Sequence, residues 1–152
     1  MKLFSKLAIQ FVVACITISC SKSKETPPLS KTTLLSQQPW ILKAYSVVRL
    51  SDGFTQDGYG SMSACYKDDQ YVFEADNTYE GNAGAAKCSP ADPQVFQSGT
   101  WRFTNSETKL ERVITSGSGV GTYEFSVISL TATELKINTE DGTYNHIITY
   151  SH

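Results

Sequence analysis

Short runs of β-forming residues follow one another with almost no helical pattern between them, and this most limits what the chain can fold into. The runs are Trp40–Leu50, Tyr71–Phe73, Thr78–Glu80, Gly99–Phe103, Lys109–Thr115, Thr122–Leu130, Glu134–Thr139 and Thr143–Tyr150. Neighbouring parallel strands need a crossover of a dozen or more residues, usually a helix. The only helical stretch, Ser30–Gln38, lies before the first run and is stopped by Pro39, because the residue before proline is pushed out of the helical region. The sheet must therefore be antiparallel. Asp76-Asn77, Asn105-Ser106 and Asp141-Gly142 supply tight turns, Asp-Gly being the strongest hairpin signal. Residues 51–64 and 81–98 read as two long loops, and Ser116–Gly121 as a flexible connector.

The runs are half polar, so each strand has one buried and one wet face. Thr122–Leu130 is the clearest case, with Tyr123, Phe125 and Val127 on one face and Thr122, Glu124 and Ser126 on the other. The expected fold is all-β: a small eight-stranded antiparallel up-and-down barrel, with a short N-terminal helix or turn. Closure removes exposed edges, and a two-sheet sandwich is the structural rival. The aromatic residues Trp40, Tyr71, Phe73, Trp101, Phe103, Tyr123 and Phe125 alternate into the inner face. An eight-stranded barrel either fills with side chains or holds one small ligand. Trp40, Phe73 and Trp101 are assigned to the core, and Tyr71, Tyr123 and Phe125 to a ligand cavity.

The N-terminus has the form of an export signal. Lys2 and Lys6 precede a mainly apolar run, Leu7–Ile18, which is short of the roughly 20 residues that a spanning helix needs. It ends in Thr17-Ile18-Ser19-Cys20, which resembles the lipobox of bacterial lipoproteins, although Thr17 stands where Leu is usual. That resemblance implies cleavage before Cys20 and lipid on its sulfur and new amine, since several chains are needed for stable anchoring. The alternative is an ordinary secretory signal. Residues 20–33, containing Pro27-Pro28, then form a flexible tether, and 34–152 the barrel domain. Ser21 is not the aspartate that favours inner-membrane retention, which places the expected anchor in the outer membrane of the cell envelope, the domain facing the periplasm or the outside.

Cysteine usage agrees with export. Cys15 leaves with the signal and Cys20 takes lipid, so Cys65 and Cys88 remain as a pair in an oxidising compartment. A disulfide is expected. A redox pair or a metal site is the alternative, without C-x-x-C spacing or a neighbouring histidine to favour it.

Several function classes are poorly served. The net charge of −2 falls to −4 once Lys2 and Lys6 are removed, leaving 11 bases against 15 acids, so nothing neutralises a nucleic-acid backbone. Lys67-Asp68-Asp69 reads as a charged turn leading into Tyr71, not a cation site, and the glycines of 117–121 lack the Gly-Lys-Ser/Thr ending of a phosphate loop. No Gly-x-Ser-x-Gly elbow or carboxylate pair is present, and His146 reads as a wall residue of the last strand. No catalytic residue, metal or cofactor is assigned.

The stretch Cys65-Tyr-Lys-Asp-Asp-Gln-Tyr-Val-Phe73, with Asp76-Asn-Thr-Tyr79, Cys88, Gly99-Thr-Trp101, Tyr123–Leu130 and Leu35–Leu42, resembles the lipocalin-like domain of bacterial lipoproteins over residues 34–150. The resemblance implies that Cys65 pairs with Cys88 and that Trp40 and Trp101 pack at the base of the barrel. Gln38 replaces the Gly that lipocalins proper place before the first Trp, the last strand has no Arg, and Asn77 replaces a hairpin Gly. Two readings of function follow. One is a membrane-anchored module that binds a small, mainly apolar molecule or an envelope protein. The other is a solid-core structural or inhibitory protein that works through its surface loops.

Overall fold

Antiparallel strands joined in chain order close into a ring. They are β1 (Trp40–Arg49), β3 (Gln70–Phe73), β4 (Thr78–Asn82), β5 (Val95–Thr104), β6 (Lys109–Gly117), β7 (Gly121–Leu130), β8 (Glu134–Glu140) and β9 (Tyr144–Ser151). The computed structural model describes residues 28–152. The expected signal, Cys20 and the start of the tether lie outside the described residues. From β3 onward each strand pairs with the next, and β9 returns to pair with β1 from Ile41 to Arg49. The ring closes where β1 meets β3 through Trp40–Tyr71 and Ile41–Gln70. The barrel therefore has the eight strands expected, and no sandwich forms.

Three boundaries differ from the sequence reading. A short strand, β2 (Thr55–Asp57), lies inside the first long loop and pairs with β1 at Ser46–Val48, where β3 no longer covers it. The second long loop is shorter than expected, because Gly81 and Asn82 pair with Gln97 and Val95. The glycine connector shrinks likewise, since Ser116 and Gly117 extend β6 against Ser98 and Gln97. All three segments are small or polar, and their strand state comes from a partner's ladder, not from local propensity.

Turn chemistry fixes the hairpins. Asn77 takes a left-handed φ of 69° while Asp76 Oδ1 accepts from the Thr78 N–H. Asp141 Oδ1 accepts from the N–H groups of Thr143 and Tyr144, with Gly142 at a φ of 88°. Bulges in β1, β5, β6 and β7 supply the bends that close the sheet. At one of them only glycine fits: a Cβ on Gly99 would lie 1.9 Å from the Val113 carbonyl oxygen.

Two tryptophans and a helix seal one end. Helix α1 (Lys31–Leu35) is capped by Ser30, whose side chain accepts from the Thr33 N–H. A five-residue helix does not hold alone, but fully buried Leu35 stabilises it by about 2 kcal/mol. Trp40 donates its indole N–H to the Leu35 carbonyl at 2.8 Å, and the His152 ring packs 4.0 Å from it. Trp101 donates to the Glu74 carbonyl at 2.9 Å and meets Phe73 edge to face. Trp40, Phe73 and Trp101 are all core residues, and both tryptophans sit at the base.

Candidate functional site

The end opposite the tryptophans is open. There the β1–β3 connection, the β4–β5 loop and the β6–β7 turn converge around a cavity of about 580 Å³. Cys65, Tyr66 and Asp69 come from the first segment. Ala83, Cys88, Asp92 and Pro93 come from the second, with Phe96 at the start of β5 and Gly117 and Ser118 beside the turn.

Covalent and hydrogen bonds hold these loops in place. Cys65, in the 3-10 turn Ala64–Tyr66, is bonded to Cys88 with Cα atoms 5.1 Å apart. One oxygen of the Asp68 carboxylate accepts from the N–H groups of both Ala85 and Ala86, at 2.9 and 2.8 Å. The Gln94 amide donates to Asn82 Oδ1 and to the Gly84 carbonyl, and the Ser118 N–H donates to the Phe96 carbonyl. Charge-assisted bonds such as those of Asp68 are the stronger kind, so the rim is braced at several points.

Asp69 stands out in this frame. It is only 7% exposed and lines the cavity, and among the described residues its carboxylate has neither a hydrogen bond nor an ion pair. Burial, with a smaller push from the Asp68 charge, raises its pKa to about 6. Asp92, also in the wall, differs: its carboxylate accepts from the Ser89 N–H at 2.8 Å.

The cost of Asp69 can be measured. Its folded pKa lies above the model value of 3.8. Its unfavourable contribution is therefore absent below about pH 4, grows between pH 4 and 6, and is complete at neutral pH. The titratable groups that line the cavity with it or act on its charge are Asp68, Tyr71, Tyr66 and Asp92, and the nearby cations Lys67 and Lys87 are engaged with the Tyr59 ring and the Asp92 carbonyl. Asp69→Asn is expected to raise stability by about 1–2 kcal/mol at pH 7.5 and to change it little at pH 4. Urea unfolding at the two pH values checks this, and equal stability of the two proteins at both would refute it.

Below the cavity the barrel is filled. Arg112, on β6, points inward with its guanidinium carbon 4.4 Å from the Phe125 ring centroid and 5.2 Å from that of Tyr79. It donates to the Tyr79 hydroxyl at 2.9 Å, as does the Gln97 amide at 2.7 Å. Burial pushes the Tyr79 phenol up to about 12 and raises Tyr71 and Tyr150 as well. A polar, cationic centre inside the aromatic barrel is a feature that the strand pattern did not disclose.

The residues assigned to a ligand cavity from sequence are spread over this interior. Tyr71 lies between Phe96, which belongs to the cavity wall, and Tyr150, at 6.2 and 5.1 Å between ring centroids. Phe125 is buried under Arg112. Tyr123 is 41% exposed near the end of β7, where its hydroxyl donates to the Gly119 carbonyl. None of the three lines the mouth cavity, and only Tyr71 reaches one of its walls. His146, expected in the wall, is held there by the Tyr45 hydroxyl at 2.8 Å and Asp141 at 3.1 Å.

The lining residues Ala83, Pro93 and Phe96 were hidden in a stretch that reads as loop. Asp69 carried a usable signal. It precedes Tyr71 and Phe73 at spacings of two, and so lies on their inward-facing period.

The family match agrees with the barrel geometry. Residues 40–137 match the model of the lipocalin-like domain. No curated protein matches the chain. Among solved structures it is similar to a lipocalin-like protein from Bacteroides uniformis, with 14% identity, 78% of this chain and 97% of that one covered, and a TM-score of 0.49.

Proposed function

The chain belongs to the lipocalin-like domain family, and we propose that it is a lipid-anchored envelope protein whose mouth cavity binds a small, mainly apolar molecule. The family fold supports a binding module. The observation that carries the finer reading is the cavity itself. Its volume of about 580 Å³ falls in the range of small-molecule sites, roughly 300–1,000 Å³. Its wall includes Phe96, Pro93, Ala83, Tyr66 and the disulfide, with few polar groups among them.

The anchor rests on the sequence: Lys2 and Lys6, the apolar run Leu7–Ile18 and Cys20. We place it in the outer membrane, with residues 1–19 removed as a signal, 20–33 acting as the tether and 34–152 as the binding domain. A second reading, a solid body acting through its surface loops or on an envelope partner, is favoured by the filled interior around Trp40, Tyr79, Leu110, Leu135 and Ile137.

Native mass spectrometry of the full chain, recovered from membranes and compared before and after denaturation, tests these readings together. The expected covalent mass lacks residues 1–19 and carries acyl groups on Cys20. The expected native mass carries a further adduct that unfolding releases. An unacylated chain would remove the anchor, and a native mass without an adduct would favour the surface reading.

A further inference from the structure

The charge of the mouth cavity is one-sided. Two carboxylates line it, Asp69 and Asp92, with Asp68 behind the first, and no Lys, Arg or His is in its wall. The nearby cations are engaged elsewhere. Lys67 Nζ lies 4.6 Å from the Tyr59 ring centroid, and Lys87 Nζ donates to the Asp92 carbonyl at 2.9 Å. Asp92 and Asp68 each spend one carboxylate oxygen on backbone N–H groups, and the other Asp68 oxygen is buried without a partner behind the cavity wall. Asp69 alone faces the cavity without a donor, while 93% of its surface is covered. A largely covered carboxylate without a partner is costly, and no group of the described chain relieves Asp69, whose oxygens still reach the cavity.

We propose that the mouth cavity takes a small apolar molecule bearing one cationic amine, whose ammonium pairs with the Asp69 carboxylate while its apolar body lies against Phe96, Pro93, Ala83 and Tyr66. This rests on the reading of the cavity as a binding site and adds the class of ligand. An ammonium supplies the N–H donors and the positive charge that Asp69 lacks. It repairs an unpaired group already in place, so no additional side chain has to be desolvated. An acidic molecule of the same shape would set a second negative charge beside Asp69 and Asp92, and the cavity would reject it.

Octylamine, octanol and octanoate are the probes, titrated calorimetrically into the full-length protein at pH 7.5. Octylamine is expected to bind about tenfold or more tighter than octanol, the size of one hydrogen bond to a charged group, with octanoate the weakest. Asp69→Asn should bring octylamine to within about twofold of octanol. Asp92→Asn should preserve most of the preference, since that carboxylate is already bonded to Ser89. An equal affinity for the three probes, or a preference that survives Asp69→Asn, would overturn this inference and leave the cavity a binding site. Failure of all three to bind would overturn the cavity reading and the inference with it.

Discussion

Arg112→Ala is expected to lower the unfolding free energy by about 3 kcal/mol, whereas Arg112→Met should change it by about 1 kcal/mol or less. The alanine variant deletes the aliphatic stem as well as the charge. It leaves a void between Phe125 and Tyr79, two rings that are nearly inaccessible to solvent, and such losses of buried volume cost about 2–5 kcal/mol. It also removes one of the two donors that hold the Tyr79 hydroxyl. Methionine keeps the stem and fills the same space. It gives up the guanidinium's attraction to the two rings, about 0.5–2 kcal/mol, and regains the desolvation cost of an inner cation. The two losses oppose each other, so the charge contributes little net stability while the volume contributes much. Urea denaturation of the three proteins checks the order. An alanine variant as stable as the parent would mean that the interior around Arg112 is loosely packed.

The strands of this barrel were legible because their cause is local. Asp141-Gly142 and Asp76-Asn77 encode their turns in two residues, and the alternation of Tyr123, Phe125 and Val127 fixes which way β7 faces. What the sequence left out was depth. Tyr123 and Phe125 share one face, yet one is 41% exposed and the other 4%, because the barrel opens between them. Periodicity assigns a side to each residue and says nothing about height along the axis. The same gap hid Asp69, which reads as a charge in a charged turn until the β4–β5 loop is laid over it. Arg112 was hidden by its type. In a strand of mixed polarity an arginine is normally placed on the wet face, although its alternation with buried Leu110 and Ile114 and its register opposite Trp101 and Tyr123 turn it inward. Segments whose strand state depends on pairing, β2 and the ends of β4 and β6, were missed for a related reason: the information lies in the partner.

Removing the disulfide, as the double variant Cys65→Ser/Cys88→Ser, is expected to cost about 3 kcal/mol through the freedom returned to the unfolded chain. The two cysteines are 23 positions apart, and the enclosed segment contains β3 and β4. In the folded state the effect should be confined to the mouth. The β3–β4 ladder, from Gln70–Asn82 to Phe73–Tyr79, does not depend on the bond, and the base is sealed by Trp40, Trp101 and Leu35 without it. The far-UV circular dichroism should therefore be that of the parent well below the transition. The rim is different, because Cys65 and Cys88 line the cavity themselves and tie the segment bearing Asp69 to the loop bearing Asp92 and Pro93. Without the bond, that connection falls to the Asp68 carboxylate and its bonds to Ala85 and Ala86. The amides of those two residues should exchange hydrogen faster, while those of β3 and β4 keep their protection relative to global stability. Unchanged exchange at Ala85 and Ala86 would mean that the Asp68 carboxylate alone holds the mouth in shape, and a loss well below 3 kcal/mol would mean that the unfolded chain is already confined without the bond.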